Sequence, residues 1–286
     1  MASMAKGLKL RQVLAEISSI DAVVALDMSA LADCLARVAA RDEAAAASAT
    51  VTTQANKIAL IQLSGPLTPR GSWYGSSLSG FAASVTRAAD DPDIAGIISD
   101  IDSPGGTVSG TPEAAAAMAY AASKKPCVAC VNTLAASAAY WIASQASEIV
   151  MTPSADVGSI GAMIMHVDYG KALEEAGIGV TIIRSEQSPL KNEAHPFGPL
   201  SDDARAFLQK RANDAGADFI KAVASGRKVT QAKVREDFGQ GRVFGAREAM
   251  ARGMADRVAT MSDVIAGMLP KPPARSARRR SALAFE

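Results

Sequence analysis

From residue 57 onward, short apolar runs rich in β-branched residues alternate with segments in which apolar residues recur at helical spacing. Apolar runs of strand length between turn residues indicate buried strands, and the segments between them indicate helices. Strands that are joined through helices run parallel and are covered on both faces. The sequence therefore predicts an α/β fold with a parallel sheet and flanking helices.

The predicted elements follow one another along this part of the chain. Strands are expected at 57–65, 94–102, 126–132, 148–152, 160–167, 179–185 and 241–244. Helices are expected at 77–91, 111–124, 169–177 and 201–224, with a further helix starting near Ser137. The helix at 111–124 is expected to begin with Thr111 as its cap and Pro112 at its first position.

The segments that flank the main domain differ from it in composition. Residues 1–42 show helical periodicity and predict an N-terminal helical segment, and the small and polar residues 43–56 predict a linker. The main domain is then expected to span residues 57–262. The basic, proline- and arginine-rich tail at 263–286 is expected to be disordered.

Charge and hydropathy exclude several classes of protein. The net charge is +1, so bulk electrostatics favour neither a nucleic-acid coat nor a membrane-surface protein. No stretch approaches the roughly 18 apolar residues that a membrane helix needs. The apolar run "AVVAL" is enclosed by Asp21 and Asp27 and does not fit the core of a signal peptide. A cytoplasmic location, without membrane insertion or nucleic-acid binding, is therefore expected.

The three cysteines do not form a disulfide framework, because their number is small and odd. Cys127 and Cys130 are spaced as in a redox or metal motif. However, they lie in a predicted strand, where positions three apart point to opposite faces. Buried small apolar residues are the expected role.

The sequence "DSPGG" (102–106) follows a predicted buried strand and is a candidate site. Two glycines after a proline allow a backbone with free N–H groups, although the same sequence also suits a plain tight turn. In open parallel sheets, ligands bind at this edge.

Ser137 lies where the next predicted strand gives way to a helix. There its hydroxyl could face solvent, and the N–H of Ala138 would be free to bind an oxyanion. A serine at this position could equally be an ordinary helix cap.

A nucleophilic serine needs a base. The chain has only two histidines, His166 and His195, and the sequence excludes neither. The alternative base is a lysine kept neutral by burial, as in Ser–Lys hydrolases, and Lys191 is the candidate.

Together these motifs resemble the signal peptide peptidase A family of Ser–Lys peptidases, which shares the Clp protease/crotonase-type fold. The strongest resemblance lies in "DVGSIGAMIMHVDYGKALEEAGIGVTIIRS" (156–185), and "VFGAREAMARGMAD" (243–256) is similar to the family's closing segment. The resemblance as a whole covers about residues 57 to 260. The stretches 102–110 and 192–205 look closest to phage head maturation proteases.

The resemblance implies a role for each matching residue. It implies Ser137 as nucleophile, Lys191 as general base, and an oxyanion hole from Ala138 and Gly105, with Gly106 as a further donor. Ser159 would help to line the site. Relatives often have glycine after the nucleophile, whereas this chain has Ala138, so the oxyanion geometry departs from the family's pattern.

The resemblance also implies a function. It implies a serine endopeptidase without metal or other cofactor, acting on capsid, portal or scaffold proteins during phage head maturation. It also implies a ring-like homo-oligomer in the host cytoplasm or inside the prohead. The alternatives are a host cytoplasmic peptidase of the same family and a non-catalytic assembly protein on the same fold. An acyl-CoA enzyme of the crotonase type is disfavoured because it would leave Lys191 unexplained.

Overall fold

The computed structural model describes residues 24–26, 49–52 and 57–269, and the predictions for the rest of the chain lie outside the described residues. The strands are β1 (Val24–Leu26), β2 (Ala49–Thr52), β3 (Lys57–Ser64), β4 (Ile94–Ser103), β5 (Gly105–Thr107), β6 (Cys127–Ala136), β7 (Glu148–Met151), β8 (Asp156–Gly158), β9 (Val243–Gly245) and β10 (Arg257–Val258). The helices are α1 (Leu78–Asp90), α2 (Thr111–Lys124), α3 (Ala138–Ala143), α4 (Gly170–Glu175), α5 (Asp202–Gly226), α6 (Gln231–Asp237), α7 (Ala246–Arg252) and α8 (Met261–Met268).

Eight of these strands form one mostly parallel sheet. Six of them follow the order β10-β7-β6-β4-β3-β2, and all neighbours in this row are parallel except β2, which is antiparallel to β3. Strand β8 pairs with the end of β6 in parallel, and β9 then pairs with β8 in antiparallel orientation. The parallel α/β architecture predicted from the alternating pattern is confirmed.

Apolar side chains cover both faces of the sheet. One face packs against α1, α2, α3 and α5 in a large core that includes Leu78, Met118, Trp141 and Phe219. The other face carries a smaller cluster, which Val264 and Ile265 of α8 cover. The disorder expected from residue 263 onward is therefore wrong for 263–268, because their apolar side chains pack on the sheet. This division explains why the strand sequences are apolar at nearly every position.

Helix α2 begins differently from the prediction. Its cap is Gly110, with φ 88° and no side-chain capping bond, so Thr111 is already inside the helix. The Thr111 hydroxyl instead donates to the carbonyl oxygen of Thr107 at 2.7 Å. The predicted threonine cap is therefore wrong, because a glycine can take the left-handed turn that leads into this helix.

The strands differ from the prediction in four segments. Strand β1 lies inside the segment predicted to be helical, and β2 lies inside the predicted linker. The predicted strands at 160–167 and 179–185 do not form, and no residue from 161 to 203 is buried. An apolar run becomes a strand only when another strand accepts its backbone hydrogen bonds, and in these two runs the structure has no more than an isolated bridge at Met163.

Candidate active site

Ser137 occupies a sharp turn between β6 and α3. Its backbone has φ 57° and ψ −123°, a conformation that is strained for any residue with a Cβ. The Ser137 N–H donates to the carbonyl oxygen of Gly158 at 2.8 Å, which fixes the turn against the end of β8. The hydroxyl does not cap α3. A strained serine at a strand-to-helix turn is the geometry of a nucleophile elbow, and it disfavours the capping role.

Helix α3 holds Ser137 in place because all of its side chains are buried. The Tyr140 hydroxyl donates to the carbonyl oxygen of Met254 at 2.9 Å, and burial raises the pKa of this phenol. Trp141 stacks on Phe219 of α5, with ring centroids 4.7 Å apart. The start of α3 is thus anchored from two sides, which limits the movement of the serine.

The two glycines of the "DSPGG" turn lie beside this helix, since β5 and α3 are in contact. Register between β4 and β6 places Ser103 opposite Ala135, which brings the turn to the same sheet edge as Ser137. Gly105 has φ 96°, and its N–H donates to the Ser103 hydroxyl at 3.1 Å. A Cβ at Gly106 would overlap the carbonyl oxygen of Leu67, so this close approach requires glycine.

The other predicted oxyanion donor and Ser159 also lie at this edge. Ala138 is the first residue of α3, so its N–H has no acceptor within the helix. Ser159 follows Gly158, which pairs with Ala136 directly before the nucleophile. The Ser159 N–H donates to the carbonyl oxygen of Arg242 at 2.8 Å. The sheet edge therefore brings together Ser137, Ala138, Ser159 and the glycine pair.

Lys191 is the predicted site residue that the described chain does not bring to this group. It is exposed and lies in a turn whose carbonyl oxygens are held by Arg184. The Arg184 Nε donates to the Lys191 oxygen at 2.6 Å, and the adjacent Nη2 donates to that of Asn192 at 3.0 Å. Within the described residues, no hydrogen bond joins Lys191 to Ser137.

A family model described as peptidase family S49 matches residues 119–270 of this sequence. The chain belongs to peptidase family S49. The match includes Ser137, Ser159 and Lys191, and it confirms the resemblance to signal peptide peptidase A-type enzymes.

Individual relatives of the S49 chain include phage and cellular proteases. It is 33% identical to the capsid assembly protease C of Escherichia phage lambda over 228 residues, which cover 78% of this chain and 51% of that protein. It is 32% identical to the head-tail preconnector protein GP5 of Enterobacteria phage P21, over 74% of this chain and 43% of that protein. It is 30% identical to the chloroplastic serine protease SPPA of Arabidopsis thaliana, over 58% and 24%. The chain thus spans about half the length of the phage relatives that it matches.

A solved structure supports the fold of the S49 chain. A mutant of the 1510-N membrane-bound stomatin-specific protease superposes with a TM-score of 0.50 and 18% identity, covering 75% of this chain and 85% of that chain. In the described part of the present chain, no helix is both long and apolar enough to span a bilayer.

The side chains of the two histidines form hydrogen bonds within the segment that also contains Lys191. The His166 Nε2 is 3.1 Å from the carbonyl oxygen of His195, and the His195 Nδ1 accepts from the Phe197 N–H at 3.3 Å. None of the hydrogen bonds of the described residues links either ring to Ser137. The described chain therefore places neither histidine at Ser137, as it does not place Lys191 there.

The cysteines have the expected placement on opposite faces. Cys127 lies in the large core and Cys130 in the smaller one. Burial raises the pKa of both thiols to about 12. Among the described residues, no group of three or more His, Cys, Asp or Glu side chains is arranged to hold a metal ion.

Two residues that support the site were not singled out from the sequence. Gly158 has φ 135°, and a Cβ there would overlap the carbonyl oxygen of Arg242. Ser103 donates to the Gly65 oxygen at 2.7 Å while it accepts from Gly105. The glycine of "GSIG" was a visible signal for the first. Ser103 lies within the candidate "DSPGG" turn, but its role was not predicted because it depends on a contact with Gly65, which is far away in the sequence.

A partly buried ion pair stabilises the segment behind α3. Arg227 donates to both carboxylate oxygens of Asp256, at 2.7 and 2.9 Å, and the Ile149 N–H donates to the same carboxylate at 2.7 Å. Burial opposes ionisation of Asp256. Its pKa nevertheless lies below the ordinary value of 3.8, because the bonds from Arg227 and Ile149 outweigh burial.

We expect Asp256→Asn to lower the free energy of unfolding by about 1–2 kcal/mol at pH 7, since the Asp256 side chain is 38% exposed and Arg227 only 9%. A carboxylate with a lowered pKa stabilises the fold above its unfolded pKa, and this contribution disappears as the pH falls through the folded value. The difference between wild type and variant in urea unfolding should therefore shrink from pH 5 to pH 3. Asp93→Asn, which breaks the exposed pair with Lys57, is the control and should lower the free energy of unfolding much less, because solvent screens this pair. Equal losses in both variants at pH 7 would contradict the role given to Asp256.

Proposed function

We propose that the protein is a serine peptidase in which Ser137 is the nucleophile and Lys191 the general base, and that it cleaves phage head proteins during capsid maturation. The observation that carries this proposal is the strained turn at Ser137, beside the glycine pair of β5. Strain of this kind persists where the surrounding structure holds a residue for function. Membership of peptidase family S49 supports the same chemistry.

The reaction follows the acyl-enzyme route. Neutral Lys191 takes the proton of the Ser137 hydroxyl, and the oxygen attacks the carbonyl carbon of a peptide bond. The N–H groups of Ala138 and Gly105 stabilise the oxyanion, for which Gly105 must release the Ser103 hydroxyl. Lys191 then protonates the leaving amine, and water hydrolyses the ester that links the peptide to Ser137.

A neighbouring copy would bring Lys191 to the site. A lysine acts as a general base only in its neutral form, which burial favours, and in the single chain Lys191 is exposed. Its segment, 161–203, exposes many large apolar side chains, which a contact between copies would bury. They are Met163, Met165, Val167, Tyr169, Ile178, Val180, Ile183, Leu190 and Phe197. The unformed strands at 160–167 and 179–185 would then find their partners in a homo-oligomer.

The phage relatives support the proposed substrate class. The two phage proteins named above are a capsid assembly protease and a head-tail preconnector protein. Capsid, portal or scaffold proteins are therefore the proposed substrates, and the host cytoplasm or the prohead is the proposed location.

Covalent labelling tests the proposed chemistry. A fluorophosphonate probe reacts with an activated serine, and peptide mapping by mass spectrometry locates the adduct. We expect one adduct, on Ser137. Modification of other serines alone would contradict the assignment, and absence of any adduct in the assembled protein would favour an assembly protein without catalytic activity.

A further inference from the structure

The two edges of strand β5 pair with different segments of the chain. Along one edge, the Leu67 N–H donates to the Gly105 oxygen at 2.8 Å, and the Thr107 N–H donates to the Leu67 oxygen at 2.9 Å. Backbone groups alternate in direction along a strand, so the N–H and C=O of Gly106 face the opposite edge. That second edge lies on the side away from Leu67 and begins at the oxyanion glycine.

The second edge is occupied by the chain's own N-terminal segment. Strand β1 runs antiparallel to β5, with Val24 opposite Thr107, Ala25 opposite Gly106 and Leu26 opposite Gly105. The pairing therefore places Ala25 at the free backbone groups of Gly106. The described part of the chain contains no other strand on this edge.

Strand β1 pairs with β5 in the way that an extended peptide adds a strand to a free sheet edge. An extended substrate gains main-chain hydrogen bonds when it adds a strand to an exposed edge. Strand β1 runs toward Gly105, so its last paired residue, Leu26, lies opposite the glycine that we propose as an oxyanion donor. Ser137 is only 1% exposed, and Gly105, Gly106 and Thr107 are buried, so the site in this structure is covered.

We propose that Val24–Leu26 is a tethered, substrate-like strand that occupies the peptide-binding edge of β5 and competes with external substrates. This inference rests on the proposed function, because it takes the edge beside Ser137 as the substrate site. A tethered segment acts at an effective concentration on the order of millimolar, so external peptides must compete with it. Release of the segment opens the site.

The test compares Ala25→Pro with Ala25→Val in the full-length protein. Proline removes the N–H that pairs with Gly106 and disfavours the strand, whereas valine keeps the N–H and favours it. For Ala25→Pro we expect the KM for an added peptide to fall about threefold or more with kcat unchanged, because only the competing strand is lost. Ala25→Val should keep the KM of wild type or raise it.

Hydrogen–deuterium exchange gives a readout that does not depend on catalysis. Peptides that cover 105–107 should exchange faster in Ala25→Pro than in Ala25→Val and wild type. If all three proteins show equal exchange and equal KM, the tethered strand is overturned while the peptidase remains. If none hydrolyses peptide but exchange differs, the proposed function fails and the occupied edge stands.

Discussion

Replacement of Ser137 by alanine should lower the rate of peptide hydrolysis by about 10⁴-fold or more and abolish labelling by a fluorophosphonate probe. The loss follows because no acyl-enzyme can form without the hydroxyl. Alanine keeps the Cβ, so the turn with φ 57° is preserved and the fold should not change. Steady-state kinetics on a head-protein substrate and thermal unfolding measure the two effects separately.

Ser154→Ala is the matched control, because Ser154 is an exposed serine in the loop between β7 and β8. It should keep the activity of wild type. If Ser137→Ala retains even a tenth of the activity, Ser137 is not the nucleophile. If both variants lose activity together with their unfolding transition, the loss reflects the fold rather than the chemistry.

Replacement of Lys191 by alanine should lower the rate by about 10³-fold or more, because general-base help to a serine is lost. Lys191→Arg should not rescue it, since a guanidinium remains protonated and cannot accept the proton. Lys171→Ala, an exposed lysine in the same segment, is the control and should leave the rate unchanged. A Lys191→Ala enzyme as active as wild type would return attention to His166 and His195.

Mixing two inactive variants tests whether Lys191 serves a neighbouring copy. In oligomers assembled from Ser137→Ala and Lys191→Ala chains, about a quarter of the sites would combine an intact serine with an intact lysine from different copies. Recovery of activity on mixing supports a shared site. Absence of recovery, with mixed assembly shown by mass spectrometry, places both residues in one chain and contradicts the proposed role of the interface.

Most of the local structure was predictable from the sequence. The apolar runs that became β3, β4, β6 and β7 carry a signal that does not depend on distant partners, because strands covered on both faces must be apolar throughout. A helix was predicted at 201–224 with Asp202 and Asp203 in its first turn, and the structure has it at Asp202–Gly226. Ser201 caps it by accepting from the Ala204 N–H at 3.2 Å. The position of Ser137 at a strand-to-helix junction was also predictable, because the apolar run that forms β6 ends just before it.

The strands expected at 160–167 and 179–185 show the limit of this reasoning. Their sequences have the strand pattern, but in the structure they form no more than an isolated bridge at Met163. Composition tells whether a segment suits a sheet, whereas pairing depends on which other segments come near. Strands β1 and β2 were not predicted for the same reason, because they lie in segments whose composition favoured a helix and a linker.

The sequence by itself determined the parallel α/β class, the faces of Cys127 and Cys130, and the serine and glycine motifs at one sheet edge. Only the tertiary structure decided that Ser137 adopts φ 57° instead of capping α3, because Gly158 of a different strand fixes its N–H. It also decided that β1 occupies the edge at Gly106. Periodicity and turn chemistry are local properties, but a strained turn and a strand pairing depend on residues that are distant in sequence and meet only after folding.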